Sequence, residues 1–218
     1  MSDKKKRIFD GIILDIDGTL WNTTGIVAVA WNRAIDNSGF DVRNLNAQDL
    51  QREFGKTMDV IALDLWGNLS PSDRAVLLAE CETEELVMIK EITFDITYPG
   101  VIETIKELSS EHNFFIVSNC QKGYIETMLE KTGLTDCIKD FECFGRTGKG
   151  KAENIQMLKA RNSLSDPIYV GDTQGDADAS KQAGIPFVWA SYGFGSEVDY
   201  CYDRIEKFSD IKNIPGVL

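Results

Sequence analysis

The sequence predicts an α/β fold, a doubly wound parallel sheet of the Rossmann-like kind with an inserted helical segment. A densely apolar, strand-like segment lies near the amino terminus. From about residue 97 onward, short apolar segments alternate with helical patterns. Between these two regions, residues 20–96 show helical periodicity without a convincing strand. Alternating strands and helices favour a parallel sheet covered by helices.

The first strand is predicted over residues 7–17, where apolar residues are nearly continuous. Such continuity is typical of a strand that is buried on both faces. Further strands are predicted over residues 113–118, 141–144, 167–171 and 186–190. Helices are predicted over residues 100–111, 122–131, 151–161 and 175–183. This order of elements indicates a core of residues 1–19 and 97–218, interrupted by residues 20–96.

The residues from 20 to 96, called the helical insert below, contain clear helix start and stop signals. A helix over residues 25–37 is expected to end near Gly39. Asn46 is a candidate cap for a helix over residues 47–54. Ser70, followed by Pro71 in the first turn, predicts a longer helix that continues to about residue 89.

The composition excludes several classes of protein. The net charge of −12 disfavours nucleic acid as a partner, because binding a duplex requires a basic surface. No apolar run approaches the ~20 residues that a membrane span needs. Five scattered cysteines without a CxxC spacing, and a basic first seven residues that lack the features of a signal peptide, predict a cytoplasmic protein. The single histidine, His112, disfavours a histidine-rich zinc site. The sequence leaves open whether the protein is a monomer or a homodimer.

The strongest chemical signal is the segment Asp-Ile-Asp-Gly-Thr-Leu at residues 15–20. Side chains two residues apart on a strand point to the same side, so Asp15 and Asp17 are expected to project together at the end of the first strand. Ligands of open α/β sheets bind at this edge. Two adjacent carboxylates repel each other unless a cation or a shared proton stabilises them.

Other polar groups follow the later strands. Asp172 and Asp176 follow the strand over residues 167–171 and provide oxygen ligands that suit magnesium, although a helix cap explains an aspartate there equally well. Ser118 and the backbone N–H of Asn119 follow another strand and could donate hydrogen bonds to a phosphate. Together these motifs provide the carboxylates and donors that in-line phosphoryl transfer requires.

A lysine is also expected near these carboxylates. Lys149 and Lys151 lie in a glycine-containing segment that opens a predicted helix. An ammonium group there could offset the carboxylate charge and hold a phosphoryl group. The residues themselves leave Lys149 and Lys151 both open for this role.

These motifs resemble those of the haloacid dehalogenase superfamily. Residues 15–20 resemble its DxDGT motif, while Ser118, Lys151 and residues 171–176 resemble its second, third and fourth motifs. The helical insert is similar to the first type of cap in this family, between motifs one and two, as in the phosphoglycolate-phosphatase-like enzymes. The resemblance covers nearly the whole chain.

The resemblance implies a magnesium-dependent phosphatase with defined roles. Asp15 would attack phosphorus and form an aspartyl-phosphate, and Asp17 would protonate the leaving alcohol and then activate water. Ser118, the Asn119 amide and a lysine would hold the phosphoryl group; Lys151 is preferred because it resembles the family's lysine followed by a helix, with Lys149 as the alternative. The implied ligands of Mg²⁺ are the Asp15 carboxylate, the backbone carbonyl of Asp17, Asp172 and, directly or through water, Asp176.

The substrate is expected to be a small phosphomonoester such as phosphoglycolate, a sugar phosphate or a nucleotide. In the family the cap recognises the leaving group, so Arg52 and Lys56 of the helical insert are candidate substrate ligands. Each is equally well explained as an ordinary surface charge. A phosphomutase, a phosphonatase and a non-catalytic relative that binds a phosphorylated ligand remain as alternatives.

Overall fold

A computed structural model describes residues 8–217 and contains one parallel sheet. Its six strands, in the order β3-β2-β1-β4-β5-β6 across the sheet, are β1 (Gly11–Leu14), β2 (Phe114–Ser118), β3 (Ile138–Cys143), β4 (Pro167–Gly171), β5 (Phe187–Ala190) and β6 (Asp203–Ile205). All five neighbouring pairs are parallel. The predicted α/β class with a Rossmann-like parallel sheet is therefore confirmed.

Helices cover the sheet and form the helical insert. Those of the insert are α1 (Thr24–Ser38), α2 (Ala47–Glu53), α3 (Met58–Trp66) and α4 (Pro71–Glu91). Those that follow are α5 (Val101–Leu108), α6 (Tyr124–Thr132), α7 (Phe144–Thr147), α8 (Lys151–Arg161) and α9 (Gln174–Ala183). No helix in residues 8–217 is long and apolar enough to cross a membrane.

The buried faces of β1 explain its continuous apolar sequence. Ile12 and Leu14 pack into a large hydrophobic cluster on one side of the sheet. Ile13 points the other way and packs into a second cluster, beneath α8 and α9. Successive side chains of a strand alternate between its faces, so a central strand covered on both sides is apolar throughout.

One element ends earlier than predicted, and two elements were not predicted. The ladder of β1 covers only Gly11–Leu14, because Asp15 and the residues after it turn into the site, and residue 7 lies outside the described residues. The three residues of β6 carry no apolar pattern that would predict a strand. Helix α3 was also not predicted, because it is short and has a glycine close to each of its ends, which weakens the helical pattern.

The helical insert has a hydrophobic cluster of its own, centred on Trp31 and Trp66. The predicted caps occur: the Asn46 side chain accepts from the N–H groups of residues 48 and 49, and Ser70 accepts from that of residue 73. Gly39 ends α1 with φ of 74°. A separate core supports the division at residues 20–96, which we keep as a proposed domain boundary.

Candidate active site

The end of β1 places a buried carboxylate at the edge of the sheet. Asp15 is 2% exposed, and its backbone N–H donates to the Val170 carbonyl at 2.9 Å, which extends the pairing of β1 with β4. Gly18 then turns the chain with φ of 82°, and a Cβ atom there would lie 2.1 Å from Asp172 Oδ2. Only glycine allows this close approach of the two loops.

Three buried carboxylates meet at this edge. Oxygens of Asp15, Asp172 and Asp176 all lie within 4.8 Å of one another. Burial raises the pKa of Asp15 to about 7, although the nearby Lys151 charge opposes this shift and the Asp176 charge adds to it. The pKa of Asp172 is raised well above its usual range by burial and by the charges of the other two carboxylates. This all-oxygen donor set, short of positive charge, fits a hard divalent cation.

A single ammonium group lies within this cluster. Lys151 begins α8, is 5% exposed, and places Nζ 3.0 Å from Asp15 Oδ1 and 2.5 Å from Asp176 Oδ1. Lys149, two residues earlier, is exposed and does not reach these carboxylates. Burial opposes the charge of Lys151, but its two anionic partners raise its pKa above the usual value.

Asp172 and Asp176 occupy different environments. Asp172 Oδ2 accepts from the Phe194 N–H at 2.7 Å. Asp176 Oδ2 accepts from the N–H groups of Asp172 and Thr173 at 3.1 and 2.9 Å, and also from the Thr173 hydroxyl. Thr173 and Asp176 form the capping box of α9, so Asp176 is a helix cap as well as the partner of Lys151. The helix-cap interpretation of this motif and the metal-ligand interpretation are therefore compatible.

The carboxylate of Asp17 lies apart from the cluster of three. Its Oδ1 accepts from Tyr124 Oη at 2.7 Å, Thr23 Oγ1 at 2.9 Å and Trp21 Nε1 at 3.1 Å. Burial raises the pKa of Asp17 to about 6, while these three hydrogen bonds act in the opposite direction. Asp17 is thus a carboxyl group with a raised pKa, fixed in orientation by donors from the loop and from α6.

Ser118 and Asn119 complete the edge of the sheet. Ser118 ends β2, is 4% exposed, and lines the same cleft as Asp15 and Asp17. Asn119 Nδ2 donates to the Gly55 carbonyl at 2.9 Å, so this residue connects the core to the helical insert. The carboxyl ends of parallel strands meet at one edge, and the structure therefore brings these side chains together.

The cleft between the core and the helical insert is narrow, with a volume of about 30 Å³ for the centres of water-sized molecules. The insert contributes Trp31, Phe54, Lys56 and Glu85, among other residues, to its wall. Lys56 pairs there with Glu53 and Asp64 at 2.7 and 2.8 Å. Arg52 does not line the cleft; its side chain is 71% exposed and lies 3.6 Å from Asp49.

The sequence analysis did not identify four residues that shape the site. Thr23 and Tyr124 bind Asp17, and Glu85 and Gln121 line the cleft. All four lie outside the strand-end motifs. Only the fold shows that Tyr124 and Glu85, on α6 and α4, face the end of β1. Thr23 lies close after the first motif, which is the one signal that the sequence provides.

The fold and the carboxylate cluster together define an α/β protein with a candidate metal site at the edge of its sheet and a helical insert that lines the cleft above it. The sequence profile of the haloacid dehalogenase-like hydrolases matches residues 12–190, and the chain belongs to this family. The family expected from the motifs is thereby confirmed. Within it the chain is an enzyme of the phosphatase type, a phosphoric monoester hydrolase similar to the phosphoglycolate phosphatases.

Individual relatives span nearly the whole chain. The chain is 24% identical to the phosphoglycolate phosphatase of Rhodobacter capsulatus, with 95% of each protein covered. It is 25% identical to that of Vibrio vulnificus strain CMCP6, over 92% of this chain and 94% of the relative. Among solved structures, a predicted phosphoglycolate phosphatase from Haemophilus somnus superposes with a TM-score of 0.82 at 20% identity, covering 94% of this chain and 97% of the other. CbbY from Rhodobacter sphaeroides, in complex with xylulose-1,5-bisphosphate, has a TM-score of 0.79 at 14% identity, with 94% and 96% covered.

Proposed function

We propose that the protein is a magnesium-dependent phosphatase that hydrolyses a small phosphomonoester through an aspartyl-phosphate on Asp15. The single observation that carries this proposal is the position of the Asp15 carboxylate. It is buried beside Lys151, within one cluster with Asp172 and Asp176, and it opens onto the cleft. A carboxylate nucleophile requires nearby positive charge to approach a phosphate dianion.

Each residue near Asp15 has a defined task in this proposal. Ser118 and the Asn119 amide bind phosphoryl oxygens, and Lys151 offsets the charge that develops on them. Asp17, held by Tyr124 and Thr23, protonates the leaving oxygen and later removes a proton from the attacking water. Its raised pKa of about 6 suits a group that both donates and accepts a proton near neutral pH.

Magnesium is the proposed metal. Asp15, Asp172, the backbone carbonyl of Asp17 and, through water, Asp176 would hold it. Both oxygens of Asp176 already have protein partners, which favours the indirect role for this residue. When bound, the ion would neutralise charge on the transferring phosphoryl group.

The alternatives of the same family have weaker support. A phosphonatase requires a neutral lysine that forms an imine, whereas the two anionic partners of Lys56 raise its pKa and keep it charged. A mutase of this family uses a histidine of the cap, and His112 lies between α5 and β2, outside the helical insert. Of the two candidate substrate ligands, Lys56 lies in the cleft wall but is paired with Glu53 and Asp64, and Arg52 would have to move to contribute.

The test combines a substrate panel with one matched pair of variants. Phosphate release from phosphoglycolate, sugar phosphates and nucleotides is measured with Mg²⁺ and with a chelator. We expect release only with Mg²⁺, and none from Asp15→Asn. The control is Asp178→Asn on the exposed face of α9, which should keep wild-type activity. Mass spectrometry of acid-quenched enzyme should show phosphate on the peptide that contains Asp15. Activity that survives Asp15→Asn in a folded protein would disprove the mechanism.

A further inference from the structure

The side of the cleft that the helical insert contributes contains a buried acidic side chain that the reaction does not use. Glu85 lies on α4, is 3% exposed, and lines the cleft together with Asp15 and Asp17. The indole Nε1 of Trp31 donates to Glu85 Oε2 at 2.6 Å, which fixes the carboxyl group in place. Among the described residues no cation pairs with Glu85, and its partner Trp31 is an uncharged donor, so the buried carboxyl group is favoured in its neutral form and can both donate and accept a hydrogen bond.

Gln121 lies next to Glu85 and also has unused hydrogen-bonding capacity. It is 5% exposed and lines the cleft, and its amide lies close enough to Glu85 to oppose the rise of that residue's pKa, but its Nε2 makes no hydrogen bond of normal geometry within the described residues. The Oδ1 atom of Asn119, also in the cleft wall, likewise has no partner there. A buried polar atom without a partner is rare in a native protein and indicates a ligand or water.

Positive charge is scarce in the wall of this cleft. Among the described residues that line it, Lys56 is the one cation, and its ammonium group is already paired with both Glu53 and Asp64. An anionic leaving group would therefore be buried next to Glu85 without a counter-charge. Burying an unpaired charge costs far more than burying a hydrogen-bonded hydroxyl group.

From this arrangement we infer that Glu85 and Gln121 determine specificity, and that they select a small leaving group that is uncharged and carries hydroxyl groups. The inference rests on the proposed phosphatase activity and narrows its substrate class. Glu85 and the Gln121 amide bind the hydroxyls, while Trp31 and Phe54 limit the size of the leaving group. The preferred substrate is then the phosphate ester of a small polyol or sugar, rather than the glycolate ester that the names of the relatives indicate.

The test compares leaving groups of similar size and different charge. We expect kcat/KM for glycerol 3-phosphate to exceed that for phosphoglycolate, which is anionic, and for phosphoethanolamine, which is cationic, by at least about tenfold. Preference for phosphoglycolate or phosphoethanolamine would overturn the inference but leave the phosphatase proposal intact. Absence of phosphate release from every ester would instead contradict the phosphatase proposal itself.

A set of variants separates recognition by Glu85 from support of the fold. Glu85→Ala should lower kcat/KM for glycerol 3-phosphate by about tenfold, the equivalent of one hydrogen bond, and should leave propyl phosphate, which has no hydroxyl to bind, nearly unchanged. Glu85→Gln retains a hydrogen-bonding group, so the ratio of kcat/KM for glycerol 3-phosphate to that for propyl phosphate should stay close to the wild-type ratio. Glu80→Ala on the exposed face of α4 is the control and should change neither substrate. An equal loss on both substrates in Glu85→Ala would show a structural role and refute the assignment.

Discussion

At the scale of single residues, Asp15 and Asp17 are neighbours on one strand end with different surroundings. Asp15 lies beside an ammonium group and two carboxylates, whereas Asp17 receives three uncharged donors. Burial raises the pKa of both. Two carboxyl groups with different partners can perform different tasks, one as nucleophile and one as proton donor and acceptor.

Tyr124 positions Asp17, and Tyr124→Phe tests this role. The variant removes the 2.7 Å hydrogen bond to Asp17 but keeps the ring, which packs edge-on against Trp21 with centroids 5.4 Å apart. A hydrogen bond to a charged group contributes roughly 1.5–3 kcal/mol. We therefore expect kcat/KM for alkyl phosphates to fall by about tenfold or more.

The choice of substrate separates this positioning role from a general loss of structure. Nitrophenyl phosphate releases a weakly basic group that needs little protonation, so its hydrolysis should be affected much less by Tyr124→Phe. Tyr200→Phe, which alters an exposed ring, is the control and should match the wild type on both substrates. Equal losses on the two substrates would show that Tyr124 does not act through Asp17.

At the scale of elements, the strand-end motifs could be predicted because the chemistry and the local pattern coincide. Asp15, Ser118 and Asp172 each follow a short apolar strand, and the parallel sheet brings these strand ends to one edge. Tyr124 and Glu85 could not be predicted, since a helix presents a polar residue to a site only through tertiary packing. The substrate candidates Arg52 and Lys56 show the same limit: local sequence placed both near the cleft, and only packing separates them.

The contact between the helical insert and the core depends on the loop after α2. Gly55 has φ of 96°, its carbonyl accepts from Asn119, and a Cβ atom there would lie 3.3 Å from the Thr173 side chain. Gly55→Ala would strain the backbone by roughly 1–2 kcal/mol and push the loop away from the core. We expect kcat/KM to fall about tenfold, mainly through a higher KM, in steady-state assays.

Gly25→Ala provides the matched control within the same helical insert. Gly25 lies in α1, and a Cβ atom there meets nothing within 4 Å. Alanine in a helix is favoured over glycine by roughly 0.5–1 kcal/mol, so this variant should be slightly more stable and fully active. Wild-type KM in Gly55→Ala would mean that the observed contact does not control access to the cleft.

At the scale of the whole molecule, the buried carboxyl groups make stability depend on pH. Burial raises the pKa of Glu85 from 4.5 to about 8, against the opposing effects of Gln121 and Trp31, and it raises those of Asp15 and Asp17 to about 7 and about 6. Between the unfolded and folded pKa values, the folded protein binds more protons than the unfolded chain. The free energy of unfolding therefore decreases as pH rises through this window.

The contribution of Glu85 to this dependence can be isolated by thermal unfolding of the metal-free protein in chelator. At a pH above the folded pKa, each unit of upward pKa shift lowers the free energy of unfolding by about 1.4 kcal/mol. Wild-type protein should lose stability steadily from about pH 5 to pH 8, whereas Glu85→Gln has no carboxyl group to ionise at this position. The Tm of the variant should therefore rise relative to that of the wild type as pH increases. The difference between the two Tm values should be larger at pH 8 than at pH 5 by at least about 2–4 °C.

Parallel Tm curves for the two proteins would mean that Glu85 titrates normally. The carboxyl group facing the leaving group would then be charged at neutral pH, and a substrate with an ammonium group would become the better fit to the cleft.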